Sequence, residues 1–275
     1  MFNGINIFFI CVAWLPFIES KPNFQFICEK NISAPFFTTD HLNNFYIVDK
    51  NELILFNADC KKEKLFSTAS TFSIDAIDVS DPFKILIFNK DFNQLLFLNN
   101  QLARITDPIA LDQYGYYTVS AVCASAKGGF WIFDQANLQL VYFTNDFKEL
   151  RKSTHLNSFF KDGTTPSDIV LLEKNDYIYL GIPEVGILLF DLYGSYIKTL
   201  PVKFGSGFQV VNQNIIYHKS GQLFFYDTRH FEQKSFALPV DNVLNARIEN
   251  QLLYIQQKNT LLIYQWKNTK SLVEE

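Results

Sequence analysis

Glycine is scarce in this chain, with 11 in 275 residues. A chain with many turns but few glycines fills its turn positions with other residues, and here Asn, Asp and Lys recur between the apolar runs. Long basic runs and basic stripes are missing, and the net charge is −4 with a pI of about 5.6. That balance argues against nucleic acid as a partner. Cysteine is sparse too: Cys11, Cys28, Cys60 and Cys123 sit at no spacing that suits a zinc site. The four histidines, His41, His155, His218 and His230, are scattered, and none pairs with a Glu at helical spacing. There is no nucleophile elbow, phosphate loop or dinucleotide fingerprint.

What is present is apolar and aromatic. Hydrophobic residues make up 48% and charged residues 19%, the balance of a globular protein with a sizeable core. The 29 Phe and 13 Tyr fit a β-rich interior, because aromatic and β-branched residues pack well on pleated sheets.

Residues 1–20 hold an apolar core from about Ile5 to Ile18, followed by a polar break. Its length suits a signal-peptide core and is short for a membrane span, so an exported protein is expected, with cleavage near Ser20. A first buried strand and an uncleaved interfacial anchor are the alternatives. The domain boundaries follow: residues 1–20 as signal, 21–268 as one β domain and 269–275 as a tail. No transmembrane span is expected in the mature chain. Its expected place is the periplasm, the outer membrane or the extracellular space.

The stretch from Val119 to Asn145 shows the plan of the β domain. Val119-Ser120-Ala121-Val122-Cys123 is a small apolar strand, and Gly128-Gly129 marks a tight turn. Phe130-Trp131-Ile132-Phe133 and Leu138-Gln139-Leu140-Val141-Tyr142-Phe143 follow, split by a polar break. Such runs read as strands buried on both faces. Five further pairs repeat the pattern, and an aromatic closes each second run: Phe56, Phe97, Phe143, Phe190, Tyr226 and Tyr264. Their mean step of roughly 42 residues lies in the range of a propeller blade. A short apolar segment precedes most pairs, such as Ala246-Arg247-Ile248, and reads as an innermost strand. Outer fourth strands are visible at Tyr196-Ile197-Lys198-Thr199-Leu200 and Lys234-Ser235-Phe236-Ala237-Leu238.

On these repeats the chain resembles a six-bladed β-propeller of the general NHL/TolB-like kind, an all-β fold with blades of three to four antiparallel strands. The resemblance is to architecture; the Gly-His and Trp-Asp marks of WD40 blades are missing, and no functional residue carries over. The segment Phe24-Gln25-Phe26-Ile27-Cys28 is expected to close the ring by adding to the last blade. A pair of β-sandwiches is the alternative fold, and the even spacing counts against it.

The candidate sites follow from that architecture. Asp40, Asp75, Asp78 and Asp168 are placed near the starts of inner strands, where they would crowd a central channel. They either cap turns and line a wet channel, or hold a divalent cation such as calcium through oxygen ligands. Tyr114, Tyr116 and Tyr117 form a tyrosine loop that either packs between blades or offers a recognition surface. Cys28 and Cys60 either pair across the first blade or are buried as small apolar residues. Residues 158–167 read as a surface loop, and Asn31-Ile32-Ser33 matches the glycosylation triplet. The function expected is a non-catalytic scaffold, without a cofactor, for a protein or peptide partner in the cell envelope. A metal-dependent hydrolase or lactonase using the channel carboxylates is the alternative, and a glycan binder using Tyr114 and Tyr116 the third.

Overall fold

The structure is a computed structural model, and it describes residues 23–32, 36–49, 51–68, 72–160 and 168–267. The segments expected to be a signal peptide and a C-terminal tail, and residues 161–167 of the expected surface loop, lie outside those residues.

Among the described residues, twenty-four strands form six four-stranded antiparallel sheets. The chain opens with β1 (Asn23–Asn31). Blade 1 is β2 (Phe36–Thr39), β3 (Phe45–Asp49), β4 (Glu52–Phe56) and β5 (Lys62–Ser67). Blade 2 is β6 (Ala76–Asp78), β7 (Ile85–Asn89), β8 (Gln94–Leu98) and β9 (Ile109–Ala110). Blade 3 is β10 (Val119–Ala124), β11 (Phe130–Asp134), β12 (Gln139–Phe143) and β13 (Glu149–Lys152). Blade 4 is β14 (Val170–Lys174), β15 (Tyr177–Ile182), β16 (Gly186–Asp191) and β17 (Tyr196–Leu200). Blade 5 is β18 (Phe208–Val211), β19 (Asn214–Lys219), β20 (Gln222–Asp227) and β21 (Gln233–Ala237). Blade 6 is β22 (Asn245–Glu249), β23 (Leu252–Gln256) and β24 (Thr260–Lys267), and its outer strand is β1. The expected closure by the N-terminal strand is therefore present: Phe24 sits opposite Trp266, and Phe26 opposite Tyr264.

The reason for the ring lies in the side-chain alternation. Along β15, Ile178, Leu180 and Ile182 face blade 3, while Tyr179 faces blade 5. Along β11, Phe130 and Ile132 face blade 2, while Trp131 and Phe133 face blade 4. Each blade is thus apolar on both faces, and six clusters of buried residues fill the six gaps between neighbours. Burying one Phe or Leu side chain stabilises by about 1.5–3 kcal/mol, so no blade would be stable alone.

An even number of strands per blade returns the chain to the same side of the ring. All six inner strands therefore run in one sense. The blade-to-blade connections and the turns between second and third strands lie on what we call the crossover face. The turns after the first and third strands lie on the other, the turn face. There, third strands end in a repeated five-residue turn. Its first residue accepts a backbone N–H from the fourth: Cys60 to Asn57, Leu102 to Asn99, Phe147 to Thr144 and Gly194 to Asp191. The fourth residue has positive φ in each case, between 56° and 82°. Side-chain oxygens of Asn57, Asn99 and Asp191 accept further backbone N–H groups of their turns. This side-chain capping is how the chain turns with so little glycine.

Candidate functional site at the turn face

Polar residues near the turn-face ends of the inner strands tie together five of the six neighbouring pairs of blades. Asp78 on blade 2 accepts the N–H of Ala124 on blade 3 at 2.9 Å. Glu173 on blade 4 accepts the N–H of Ala126 and the indole Nε1–H of Trp131, both on blade 3 and both at 2.9 Å. Asn175 on blade 4 donates to the carbonyl of Asn212 on blade 5 at 2.8 Å. Gln209 on blade 5 both donates to and accepts from the backbone of Ile248 on blade 6, each at 2.9 Å. Asn250 on blade 6 donates to Asn43 Oδ1 on blade 1 at 2.6 Å.

Within this belt, Arg247 and Glu249 stand two apart on β22, so both point to the same side, away from Ala246 and Ile248. Arg247 is partly buried, and desolvation pushes its pKa down to about 10 against the pull of Glu249 and Asp78. Its Nε donates to Thr39 Oγ1 on blade 1 at 3.4 Å, a long bond. Among the described residues no carboxylate comes within ion-pair distance of the guanidinium. Burial also raises the pKa of Glu249, opposed by Arg247, Lys174 and His41 and reinforced by Asp40. Arg247, Glu249 and Asp78 all keep some contact with solvent. In the sequence, Arg247 reads only as part of the apolar strand Ala246-Arg247-Ile248. The available signal was a charged residue flanked by Ala246 and Ile248 at a position meant to be interior.

The four aspartates do not converge. Asp40 follows the end of β2 and Asp78 ends β6, so both lie at the turn face rather than at strand starts. Asp75 and Asp168 precede β6 and β14 and lie toward the crossover face. Asp40 is buried and accepts from the N–H groups of Leu42 and Asn44, from Asn44 Nδ2 and from the Tyr46 hydroxyl, all within 3.0 Å. Its carboxylate is used up as a turn cap, and burial with this contact raises the Tyr46 pKa. Asp75 binds Ser73 Oγ and the Lys90 N–H in the same manner. Among the described residues no three His, Cys, Asp or Glu side chains are grouped to hold a metal ion. The expectation of one channel cluster failed because inner strands are only three to six residues long, so a small boundary shift moves a residue to the opposite face.

The tyrosine loop splits as well. Tyr116 is buried between blades 2 and 3, its hydroxyl donates to Glu149 Oε2 at 2.5 Å, and burial with that bond pushes its pKa up to about 12. This removes Tyr116 from any recognition surface. Tyr114 is partly covered by Phe143 and Phe147, and Tyr117 is exposed. Cys28 and Cys60 form a disulfide, whereas Cys123 is free and buried, with burial raising its thiol pKa. The reading that left all cysteines as buried apolar residues therefore holds only for Cys123 among the described residues.

A second feature lies at the outer part of the turn face. Arg151 on β13 lies over the Tyr142 ring at 5.5 Å and over the Tyr193 ring at 4.9 Å, and donates to the carbonyl of Leu192 at 2.8 Å. These residues, with Lys127 and Leu150, line a cleft of about 610 Å³ between blades 3 and 4. Lys198 on β17 repeats the arrangement one blade on, 4.8 Å over the ring of Phe231. Tyr193, Phe231 and Leu150 are 70%, 60% and 58% exposed. Cation–π stacking of this kind holds long side chains in place without hiding them.

No known family model matches the sequence, and no curated protein sequence matches it. Solved structures do share its fold. A streptogramin B lyase structure aligns at TM-score 0.59 and 12% identity, covering 87% of this chain and 97% of that one. BamB from Moraxella catarrhalis aligns at 0.52 and 11%, covering 88% and 100%. A chain of a mitotic checkpoint complex aligns at 0.63 and 6%, covering 96% and 98%. At such identities the likeness is one of fold, and the chain is a six-bladed β-propeller.

Proposed function

We propose that this propeller is an exported, non-catalytic platform for a protein or peptide partner, which it meets at the turn face of blades 3 to 5. The observation that supports the reading is the pair of exposed aromatics, Tyr193 and Phe231, each held by a cation from the preceding blade. Aromatic and Arg side chains that are both exposed and pre-ordered are the residues that anchor interfaces, because ordering them on binding costs little further entropy. One neighbour in fold belongs to a mitotic checkpoint complex, a protein assembly. Export is supported by the apolar leader and by the Cys28–Cys60 disulfide, since such bonds persist in oxidising compartments. No transmembrane helix is found among the described residues.

The test compares the wild type with a Tyr193→Ser, Phe231→Ser double variant. Both are used to capture partners from the envelope of the source cell after mild crosslinking. A discrete partner held by the wild type and lost by the variant, with the thermal midpoint unchanged, is expected. Equal capture by both would place the contact elsewhere.

A further inference from the structure

We propose that a cleft between blades 1 and 2, at the outer part of the crossover face, binds a small apolar monocarboxylate. The body of the ligand lies against Phe72, Phe92 and Leu96, and its carboxylate meets Arg104. The proposal goes beyond the scaffold reading and stands without it. The cleft has a volume of about 370 Å³, inside the range of small-molecule sites. Phe72, Phe92, Leu96 and Pro108 supply its apolar walls, and Gln94 and Arg104 supply polar groups at its edge. An apolar hollow with a few polar groups is the usual make-up of such a site.

The walls are fixed in advance by hydrogen bonds. Thr68 Oγ1 donates to the carbonyl of Phe72 at 2.7 Å. Asn89 is fully buried and accepts the N–H of Phe92 at 2.6 Å. The same Asn89 amide donates to the carbonyl and hydroxyl of Ser73, the neighbour of Phe72, at 2.7 and 3.0 Å. One side chain therefore holds the backbone beside both rings, Phe72 in the connection between blades and Phe92 in the blade 2 turn. Asp75 completes the network, accepting from Ser73 Oγ at 3.0 Å and from the Lys90 N–H at 2.7 Å. Leu96 is buried in the apolar cluster between the two blades and forms the floor. Gln94 stands two residues before it on β8 and points to the same side. Phe92 is 53% exposed, so a held ring has apolar area to cover on binding at little further cost in entropy.

The charge in the cleft selects the ligand. Among the described lining residues Arg104 is the only charged one. It sits opposite Leu98 and reaches across the gap to the Phe66 ring of blade 1, 5.8 Å away. It is exposed, and among the described residues no carboxylate lies within ion-pair distance of it. A ligand carboxylate would replace water there without breaking an ion pair. One planar guanidinium matches the two oxygens of one carboxylate. A cation would meet a like charge, and a dianion would set its second charge against apolar walls. The carboxylate ends either an alkyl chain or an aromatic body, and both have apolar area to bury in the cleft.

The experiment titrates the intact protein with sodium octanoate and, separately, with 2-naphthoate, followed by calorimetry and by methyl NMR of leucine. Acetate, the neutral amide of each acid and octylammonium serve as comparison probes. Saturable binding of at least one of the two acids is expected, and the tighter one identifies the body as alkyl or aromatic. The Leu96 methyl signals should shift, and those of Leu189, in the gap between blades 4 and 5, should not. Acetate and octylammonium are expected to bind at least tenfold more weakly, and the amides several-fold more weakly. Arg104→Gln is expected to weaken the preferred acid at least fivefold, Arg104→Lys to recover part of it, and Phe92→Ser to weaken it several-fold. Both positions are exposed, so the thermal midpoints should stay close to that of the wild type. No saturable binding of either acid to the wild type overturns the proposal without recourse to any variant. So does binding that leaves Leu96 unshifted, undiminished binding to folded Arg104→Gln or Phe92→Ser, or an amide that binds as tightly as its acid.

Discussion

Cys28, on the strand that closes the ring, is disulfide-bonded to Cys60, in the turn that follows the third strand of blade 1, across a separation of 32 residues. The last blade is thus completed by the first strand of the chain and bound covalently to the first blade. Cys60 has φ of 62° and occupies the turn position held by Leu102, Phe147 and Gly194 in blades 2, 3 and 4. Its thiol reaches a neighbouring blade because that position is fixed by the turn.

Removing this bond should loosen the ring where it closes. The Cys28→Ser, Cys60→Ser double variant is expected to lose about 2–4 kcal/mol of stability. Denaturant unfolding of the oxidised wild type and the variant measures it. Hydrogen exchange should rise first in β1 and β24. Equal midpoints would show that strand pairing alone holds the closure.

Glu173 is expected to act as a clasp between blades 4 and 3 through Ala126 and Trp131. Glu173→Ala leaves a buried indole N–H without its acceptor and should cost about 1–3 kcal/mol. Adding Trp131→Phe removes that orphaned donor, so the double variant should lose less than the sum of the two single changes. Strict additivity in a double-mutant cycle would count against the clasp.

Gly129 has φ of +75°, and an added Cβ would collide with the carbonyl oxygen of Phe143. Gly129→Ala is therefore expected to destabilise by about 1–3 kcal/mol from the backbone conformation alone, with the collision adding to that. Gly221, also at positive φ, has open space around it, so Gly221→Ala should cost less. Thermal midpoints of the two variants decide the order.

The Asp227–His230 pair in the blade 5 turn sets a pH dependence. The backbone N–H of His230 is the main cause that lowers the Asp227 carboxyl to about 2, aided by the His230 ring 3.1 Å away. Its contribution to stability is present above the ordinary carboxylate range and is lost as pH falls through about 2. His230 is raised above its ordinary value of 6.5 by Asp227, so its contribution is complete below that value and is lost as pH rises through the raised one. An NMR titration of Asp227→Asn should bring the His230 midpoint back down, and an unchanged midpoint would refute the pairing.

The ring was legible in the sequence because two faces of every blade must be apolar, which writes β11, β12, β15 and β16 as near-continuous apolar runs. The outer strands were mostly hidden. Glu149-Leu150-Arg151-Lys152 and Lys62-Glu63-Lys64-Leu65-Phe66-Ser67 are largely exposed, so no burial imprints a pattern on them. The repeated turn was half seen. Asn57, Asp191 and Asp227 stood directly after the aromatic, but blade 3 has Thr144 there, and in blade 2 Asn99 follows Leu98 rather than Phe97. The candidate sites were least legible. Arg247 and Thr39 meet across the seam between the last blade and the first, 208 residues apart, a proximity that ring closure alone creates.

The most direct test of the account is photocrosslinking from single sites on the two faces. A photoreactive phenylalanine analogue at Tyr193 or Phe231, on the turn face of blades 4 and 5, should give a discrete protein adduct in the native envelope. The same analogue at Phe92, in the blade 2 turn on the crossover face, should give none. Adducts from Phe92 alone, or none from Tyr193 and Phe231, would contradict a partner-binding surface on blades 3 to 5.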